Sequence, residues 1–557
     1  MKKLGRLKKP TIFLVVILLV VIFLPALRFS RLENHNPLPT SFSKGVFHLH
    51  STFSDGKGDL VEITAAADAE GLDFVVLTDH GRPNLKAASA TRWVNGVLVI
   101  GGSEFSLDGG HLASGGFSVP TYRYPPEPQE AVDEVNRDRG ISFISHPFDG
   151  AVPWTDWSVE DHTGIELINA HTASIRPRFS RLVLIPRFFA HPEFALLTTL
   201  EYPKVHVSAW EKMNRTGRYF GIFALDAHAR MPVGFGRHVN LPTYSQMFSL
   251  LNVYVKHSEV LSDDSETAAA SLVASMRAGS FFNCIEAIAP ANGFDSVFES
   301  DTGKPVEMGG RSTSHSGRLL IRLPFDFTTD VIVTRNGDTF REFPRNKESN
   351  LVVPISDAGV YRVEIFARAS TFDDLPWIMS NPFFLDTVSA QEAPPVPVAR
   401  EVLASSPGFF QVENDPSSVG SLVEQQFGND ELAIGLRYAL GEEPGTRDYF
   451  VAMANREPRS FVGFEGLTLR ARSDERARFW LMFRTENDGS EIWYRHSFAA
   501  DHEWSTVTVP FEKFRVHHGE VQPPNLEAVT SLFISIDNQI AYPGASGALF
   551  IEDLGLF

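Results

Sequence analysis

The feature that most constrains the fold is an alternation of short, largely apolar runs with helix-like stretches over residues 42–298. Such runs are typical of buried strands, and their alternation with helices is typical of βαβ units. Helices are predicted at residues 60–69 and 128–139, because each is closed by a glycine. Strands are predicted at residues 74–77, 97–100, 141–144, 165–168 and 222–225. The pattern predicts an α/β fold, either a β/α barrel or an open parallel sheet.

Beyond about residue 300 the sequence changes to alternating apolar and polar residues joined by turn-rich stretches. This pattern predicts a small β-sandwich at residues 301–386. A proline-containing stretch then indicates a linker at residues 387–410. Short strands at regular spacing over residues 411–557 predict a second all-β region, a sandwich or jelly roll.

The N-terminus has the pattern of an export segment. The first ten residues carry five lysines and arginines, and residues 11–27 form an almost unbroken apolar run. A bilayer asks for about 20 apolar residues, with a lower limit near 17, and positive charges stay on the cytoplasmic side. The pattern predicts a cytoplasmic segment at residues 1–10, a transmembrane signal-anchor at 11–27, and a polar linker at 32–41 before a periplasmic or extracellular protein. If the apolar run is a cleaved signal, the protein is secreted.

Charge and cysteine content exclude several classes of protein. The net charge of -18 gives no general attraction to phosphate backbones, which makes duplex nucleic acid an improbable partner. The single cysteine, Cys284, excludes an intramolecular disulfide and a cysteine-rich zinc site. Any metal ligands must therefore be histidines and carboxylates.

Such residues recur near the ends of the predicted strands, where active sites of parallel α/β folds gather. Taken singly, His80 or His146 could be a hydrogen-bonded histidine, and Asp226 a helix N-cap. Taken together, the series favours a metal site, and its nitrogen and oxygen ligands suit Zn, Mn or Fe. The candidate metal ligands are His48, His50, Asp55, His80, Glu104, His111, His146, Asp226 and His228.

The order of these motifs, H-x-H, S-D-G, T-D-H, G-x-E, G-H, H-P and D-x-H, resembles that of the PHP (polymerase and histidinol phosphatase) superfamily. The resemblance implies a distorted β/α barrel with three divalent metal ions and catalytic roles for Glu104, His80 and Asp226. Three ligand groups are implied by the same resemblance. They are His48, His50, Glu104 and Asp226 for one metal, Asp55, His80 and His228 for a second, and Glu104, His111 and His146 for a third.

Two further resemblances concern the rest of the chain. The PHP-like region and the β module after it, with the sequence WIMSNPFF at residues 377–384, look most like the branch that includes carbaryl hydrolases. Residues 463–557 are similar to a galactose-binding-like sandwich of the kind used as a carbohydrate-binding module. This similarity implies a carbohydrate as a partner of the C-terminal module, with a purely structural sandwich as the alternative.

The function predicted from the sequence is metal-dependent hydrolysis. The leading hypothesis is a phosphoesterase in which a hydroxide bridging the metals attacks the ester of a small or polymer-borne substrate. The alternatives are a carboxyl-ester or carbamate hydrolase, a 5'-3' exonuclease or nucleotide phosphatase, and a non-catalytic glycan-binding surface protein. Candidate substrate contacts are Lys57, Arg82, Arg92, Asn169 and His171.

Overall fold

The structure is a computed structural model. It describes residues 20, 23–148, 151–175, 181–234, 237–301, 303–385, 398–404, 406–427, 432–442, 449–487 and 489–557. These residues fall into two compact units. The first comprises the described residues up to Val119 and those from Glu127 to Leu385, and the second comprises Pro120–Pro126 and the described residues from 398 onward.

The first unit is mixed α/β. Its helices are α1 (Leu60–Ala69), α2 (Leu85–Ala88), α3 (Pro128–Arg137), α4 (Ala170–Ile175), α5 (Arg181–Ala190), α6 (Pro192–Leu197), α7 (Lys204–Met213), α8 (Tyr244–Phe248) and α9 (Ser265–Arg277). Its strands are β1 (Phe42–Leu49), β2 (Phe74–Leu77), β3 (Arg92–Val94), β4 (Val97–Ile100), β5 (Gly102–Leu107), β6 (Gly110–Gly115), β7 (Ile141–Ile144), β8 (Gly164–Asn169), β9 (Phe220–Ala224), β10 (Met231–Gly234), β11 (Arg237–Val239), β12 (Asn252–Lys256), β13 (Phe281–Cys284), β14 (Asp295–Ser300), β15 (Val306–Glu307), β16 (Arg311–Ser312), β17 (Gly317–Arg322), β18 (Thr329–Arg335), β19 (Asp338–Asn346), β20 (Asn350–Ile355), β21 (Gly359–Ala367), β22 (Ile378–Ser380) and β23 (Phe383–Leu385).

The five apolar runs predicted as strands are confirmed as β2, β4, β7, β8 and β9. The two predicted helices are also confirmed, as α1 and α3. Helix α1 begins where it does because Asp59 accepts a hydrogen bond from the backbone N–H of Glu62, whose carboxylate accepts one from Asp59 N–H. Between β4 and β7 the structure contains an antiparallel hairpin, β5–β6, which was not predicted.

Two sheets of the first unit carry most of the predicted site. One is a 12-stranded sheet that runs β16-β23-β21-β22-β13-β12-β1-β2-β4-β3, with β18 paired to β21 and β19. The other is a five-stranded sheet in the order β5-β6-β7-β8-β9. Isolated parallel bridges, Leu49 with Ala227 and His80 with Glu104, join residues near the carboxyl ends of β1 and β2 to the second sheet. Both sheets therefore meet where the motif residues lie.

A single apolar cluster explains why these elements hold together. Phe47 of β1, Phe143 of β7 and Ile222 of β9 are fully buried, and Leu272 and Met276 of helix α9 pack into the same cluster. Removing these side chains from water is the dominant favourable term of folding, about 25 cal/mol for each Å² of apolar surface. The remaining strands of the first unit form a four-stranded sheet, β15-β14-β17-β20, and the pair β10-β11.

The second unit is built from β-strands. They are β24 (Glu401–Ala404), β25 (Gln411–Asn414), β26 (Val419–Gln426), β27 (Leu432–Ala439), β28 (Phe450–Asn455), β29 (Gly466–Ser473), β30 (Ala477–Asn487), β31 (Ser490–Ala500), β32 (Ser505–Pro510), β33 (Arg515–His518), β34 (Val529–Asp537) and β35 (Ser546–Leu556), with short 3-10 helices at Pro407–Phe409 and Phe511–Lys513. One six-stranded sheet runs β26-β27-β35-β29-β32 with β24 on β35, and another runs β25-β28-β34-β30-β31-β33. Both sheets supply side chains to one apolar core, among them Leu436, Leu469, Phe479 and Ile534.

The predicted domain boundaries stay predictions. Strands of residues 301–386 belong partly to the sheet that contains β1 and partly to the four-stranded sheet, and they lie in the first compact unit. Half of the predicted linker at 387–410, residues 387–397 and 405, lies outside the described residues. Within that stretch, β24 pairs with β35, so residues 401–404 belong to the fold of the second unit.

The predicted transmembrane signal-anchor is contradicted. In the described part of the chain, no helix is long and apolar enough to cross a membrane. Residues 1–19, 21 and 22, on which most of this prediction falls, lie outside the described residues. The described helical stretch at residues 23–28 is short, and Phe29 after it packs against the rings of Phe194 and Phe372. The predicted membrane-anchored localisation depended on this segment and is contradicted by the same finding.

The predicted polar linker at residues 32–41 also packs on the first unit. Asn34 donates hydrogen bonds to the backbone oxygens of Pro290 and Asn292. Just before it, Arg31 forms an ion pair of 2.7 Å with Glu286. These contacts make the segment part of the fold.

A buried histidine in the first unit should make its stability depend on pH. His162 stacks on Tyr219 with 4.6 Å between ring centroids, and burial lowers its pKa from 6.5 to about 3. The unfolded chain therefore binds a proton below pH 6.5 that the folded chain does not, and stability contributed by neutral His162 is lost as the pH falls from 6.5 toward 3. The loss approaches about 1.4 kcal/mol per pH unit.

We expect His162→Phe to remove this pH dependence, because phenylalanine keeps a stacked ring and cannot be protonated. Urea unfolding of both proteins between pH 7 and pH 4 should show the variant gaining stability relative to the wild type as the pH falls. The same replacement at the exposed His35 is the control. A constant difference across the pH range for His162→Phe would contradict the prediction.

Candidate metal centre

The H-x-H motif is placed by a bulge in β1. The register between β1 and β2 shifts between Phe47 and Leu49, and His48 at the bulge has a φ of +66°. His48 lies in this irregularity, and His50 lies just beyond the end of the strand. Both imidazoles nevertheless approach the same carboxylate: their Nε2 atoms lie 3.6 and 3.3 Å from Asp226 Oδ1.

The buried carboxylate of Glu104 lies at the centre of the cluster. Glu104 is 1% exposed and lies in β5 of the unpredicted hairpin, opposite Ala113 of β6. Five imidazole nitrogens surround its two oxygens. Oε2 lies 3.4 Å from His48 Nε2, 3.4 Å from His50 Nε2 and 3.1 Å from His80 Nδ1, and Oε1 lies 3.1 Å from His111 Nδ1 and 3.2 Å from His146 Nε2.

A second carboxylate, Asp55, lies at the more exposed side of the cluster. Its Oδ1 is 3.3 Å from His228 Nε2 and 3.8 Å from both His50 Nδ1 and His80 Nε2. Gly56 allows the Asp55 loop to lie close to the H-x-H segment, because a Cβ at this position would lie only 2.2 Å from the backbone oxygen of His50. This close approach explains why glycine follows Asp55 in the S-D-G motif.

The structure thus brings all nine predicted ligand residues into one cluster. Ligand atoms within 4.8 Å of one another define three groups that could each hold a metal. They are His50, Asp55, His80 and His228; His48, His50 and Asp226; and His80, Glu104 and His111. These groups differ from those implied by the superfamily resemblance. In the structure, His50 also belongs to the group that contains Asp55, and His80 also belongs to the group that contains Glu104. The number of metals and their division among the ligands stay predictions.

The donor atoms fit a metal. His48 Nε2, both ring nitrogens of His50, and His80 Nδ1 are buried and have no hydrogen-bond partner among the described residues. Buried polar atoms are rarely left unsatisfied, because the lost hydration costs about 1–3 kcal/mol for each group. Coordination of a divalent ion would satisfy these nitrogens and balance the neighbouring carboxylates.

Charge interactions in the cluster are strong and opposed. Burial works against a charge on His48, but the carboxylates of Glu166, Glu104 and Asp226 raise its pKa well above the usual value. Burial also works against a charge on Glu104, which the neighbouring histidines overcome, and its pKa is lowered well below the usual value. His50 behaves differently, since burial lowers its pKa to about 4. A metal competes with protons here, because a coordinating imidazole must be neutral.

Two carboxylates that support the cluster were not predicted. Glu166 of β8 lies 2.5 Å from His48 Nδ1, and its other oxygen accepts hydrogen bonds from the backbone N–H of His146 and from Asn169 Nδ2. Its signal in the sequence was a glutamate in the middle of an otherwise apolar strand. Asp79 of the T-D-H motif accepts hydrogen bonds from Ser51 and Ser54 and so fixes the loop that carries Asp55.

The candidate substrate contacts differ in how close they lie to the cluster and in their exposure. Asn169 and His171 lie close to the cluster: Asn169 bonds to Glu166, and the His171 ring is 5.1 Å from that of His228. Lys57 and Arg92 are exposed, and Arg82 is half-buried two residues beyond His80. Roles for all of these residues as substrate contacts stay predictions.

Arg230, a cationic residue that was not predicted, lies beside a carboxylate of the cluster. Its Nη1 lies 3.7 Å from Asp55 Oδ2, and its Nε is buried and has no hydrogen-bond partner among the described residues. Its position two residues after His228, in D-x-H-x-R, was the available signal.

Comparisons with known proteins give partial matches. A family model described as Complex I intermediate-associated protein 30 (CIA30) matches residues 447–543, within the second unit. No curated protein gives a significant match. Among solved structures, the chain is similar to a two-domain protein from Bacteroides vulgatus that contains a predicted PHP-like metal-dependent phosphoesterase, with 16% identity over 64% of this chain and 98% of that chain and a TM-score of 0.31.

The chain also has similarities to carbohydrate-binding modules. A family 11 carbohydrate-binding module from Clostridium thermocellum, solved with a β-1,3-1,4-mixed-linked tetrasaccharide, is 12% identical over 29% of this chain and 97% of that chain, with a TM-score of 0.24. A family 30 module from a cellulosomal cellulase of the same organism is 13% identical over 29% of this chain and 94% of that chain, with a TM-score of 0.19. At these identities and scores, the similarities establish neither an activity nor a ligand for this chain.

We expect Glu166→Gln to weaken metal binding without unfolding the protein. The amide replaces one acceptor oxygen by a donor, so His48 Nδ1 or the N–H groups of His146 and Asn169 lose their partner. Loss of such an outer contact typically costs about 10–100-fold in metal affinity. Zinc affinity measured by competition with a fluorescent chelator gives the test, with the exposed Glu160→Gln as control. Equal affinities for the two variants would contradict a supporting role for Glu166.

Proposed function

We propose that this chain is a metal-dependent hydrolase of phosphoesters, with a PHP-type distorted β/α barrel in its first unit. The observation that carries the proposal is the buried arrangement of imidazoles around Glu104 and Asp226, in which several ring nitrogens have no hydrogen-bond partner among the described residues. Histidine nitrogens and carboxylate oxygens are ligands for Zn, Mn or Fe. The groups that would hold metals are the three defined above.

The residues of the chain prepare the site in separate ways. When bound, divalent metals lower the pKa of water and neutralise charge that develops on the ester in the transition state. Glu166 contacts His48 Nδ1 and thereby leaves Nε2 directed at the cluster. Asp79 holds the loop of Asp55 through Ser51 and Ser54. Hydrolysis adds water across the P–O bond and releases an alcohol and a phosphate group.

Arg230 supports a phosphoester over an uncharged ester. Its guanidinium lies beside Asp55, and its Nε is without a partner in the described part of the chain. Guanidinium groups match the charge and geometry of phosphate oxygens, and an uncharged carboxyl ester or carbamate gains less from such a contact. The carboxyl-ester or carbamate activity of the branch that the sequence resembles is the alternative to be tested against it.

Carbohydrate binding by the second unit stays a prediction. Two tryptophans lie on its second sheet, and each has a guanidinium over its ring: Arg484 lies 3.7 Å from the centroid of Trp493, and Arg495 lies 4.0 Å from that of Trp480. Sugars bind aromatic side chains through the ring face, so a sugar on either of these rings would first have to displace a guanidinium. Neither of these two contacts therefore favours a second function.

We expect activity to require metal and Glu104. Purified full-length protein should hydrolyse bis-p-nitrophenyl phosphate or p-nitrophenyl phosphate, lose activity after chelation, and regain it with Mn or Zn. Glu104→Gln should bind fewer metals per chain, because an amide cannot replace a carboxylate that faces five imidazoles. Elemental analysis and initial rates give the readout, with Glu160→Gln as control. Full activity in chelated protein would exclude a metal-dependent hydrolase.

We expect Arg230→Gln to distinguish phosphoesters from uncharged esters. Loss of a charge-assisted hydrogen bond should lower kcat/KM for a phosphoester about tenfold, and a naphthyl carbamate should be affected much less. The control is Arg318→Gln, which removes an exposed arginine paired with Glu299. A 5'-phosphorylated oligonucleotide in the same panel tests the exonuclease alternative. Turnover of the carbamate alone would overturn the phosphoesterase and leave the metallohydrolase.

A further inference from the structure

A cavity of about 340 Å³ lies next to the candidate metal centre within the first unit. Asn169, Thr172, Tyr202 and His206 are among the residues that line it, together with Phe148. Asn169 joins the cavity to the metal centre, because its Nδ2 donates to Glu166 Oε2 and the other oxygen of Glu166 contacts His48. The cavity wall is therefore separated from a candidate ligand by a single side chain.

The same cavity is joined to the centre along the chain. Phe148 lies two residues after His146, whose Nε2 is 3.2 Å from Glu104 Oε1. Along the chain, one residue therefore separates this part of the cavity wall from a candidate ligand. A volume of about 340 Å³ is at the lower end of the roughly 300–1,000 Å³ of ligand pockets, which suits a small ring system better than a polymer.

One residue of the cavity wall, Phe148, forms an aromatic pair with Trp157, which stacks on it but does not itself line the cavity. The ring of Phe148 stacks on that of Trp157, with 5.4 Å between centroids and an interplanar angle of 22°, and meets His206 edge-on at 5.0 Å. Phe148 and Trp157 are 36% and 43% exposed. Large aromatic side chains gain free energy when they are buried, so a stacked and exposed pair beside a reacting centre is suited to receive an apolar planar group.

We infer that this cavity, the aromatic subsite, binds the planar aromatic part of the alcohol that a phosphoester substrate releases. The inference rests on the proposed function, because the phosphate group is placed at the metal centre and beside Arg230. The substrate class is then a phosphate monoester of an aromatic or heteroaromatic alcohol. Aliphatic esters of the same size lack a flat aromatic face, so they gain free energy only from the burial of apolar surface.

The test uses three phosphate monoesters whose rings differ in aromaticity. In each of them the phosphate is esterified to a CH2–OH group on a ring carbon. They are benzyl phosphate, 2-naphthylmethyl phosphate and cyclohexylmethyl phosphate. Because the three leaving groups are similar, a difference in kcat/KM reports binding of the ring more than intrinsic reactivity. We expect full-length, metal-loaded protein to prefer the benzyl ester over the cyclohexylmethyl ester, which has the same number of carbon atoms, by about tenfold, as stacking contacts of this kind permit.

Binding is measured separately from catalysis. The non-hydrolysable benzylphosphonate and cyclohexylmethylphosphonate, which have the same number of carbon atoms, are titrated by calorimetry into the wild type and into Trp157→Ala and Phe148→Ala. Both variants should lose most of the aromatic preference in Kd and in kcat/KM. Phe189→Ala, which removes an exposed phenylalanine that does not line the cavity, should keep it.

The outcomes separate this inference from the proposed function. Equal affinity of the wild type for the two phosphonates, or an aromatic preference that survives in Trp157→Ala and Phe148→Ala, overturns the aromatic subsite even if phosphoesters are hydrolysed. A preference that both variants lose supports the subsite. If that preference is found while none of the esters is turned over, the binding result stands and the proposed phosphoesterase fails.

Discussion

The buried carboxylate of Glu104 is the constraint on which the rest of the candidate centre depends. A charge in this position is costly unless cations or hydrogen bonds compensate it, and five imidazole nitrogens lie within 3.4 Å of its two oxygens. Those imidazoles come from both large sheets of the first unit. Charge compensation at one residue therefore ties the relative placement of β1, β2, β5, β6 and β7 to the chemistry of the site.

The same site stores backbone strain. His48, His146 and Asp226 all have positive φ values, of 66°, 31° and 53°, a region that residues other than glycine seldom adopt. Each such residue costs about 1–3 kcal/mol and persists only where surrounding contacts hold it. Glu166 provides such contacts by bonding to the His48 ring and to the backbone N–H of His146. Glu166, which was not predicted as part of the site, therefore stabilises two of the three strained residues.

The two units use aromatic side chains in different ways. In the second unit, arginines cover the faces of Trp480 and Trp493, which satisfies those rings within the fold. In the first unit, Phe148 and Trp157 stack on each other and stay partly exposed beside the cavity at Asn169. This contrast supports the proposal of ligand recognition in the first unit, although the resemblance of residues 463–557 implied a sugar as partner of the second.

Much of the first unit could be predicted because its strands are short, apolar and buried on both faces, a pattern that is local. The motif residues were also local signals, and their convergence followed from the strand ends. The N-terminal anchor is contradicted because no helix among the described residues is long and apolar enough to cross a membrane. The β5–β6 hairpin was missed because Glu104 and His111 are polar residues in strands too irregular in pattern to be recognised.

By itself, the sequence determined the residue types of the site, the β-rich C-terminal half and the strands that carry most candidate ligands. Only the tertiary structure decided which atoms face one another. The bulge at His48, the carboxylate of Glu166 beneath two histidines and the position of Arg230 beside Asp55 depend on contacts between residues far apart in the chain. Local propensity holds no information on such distances, because they are set by how two sheets pack around a shared core.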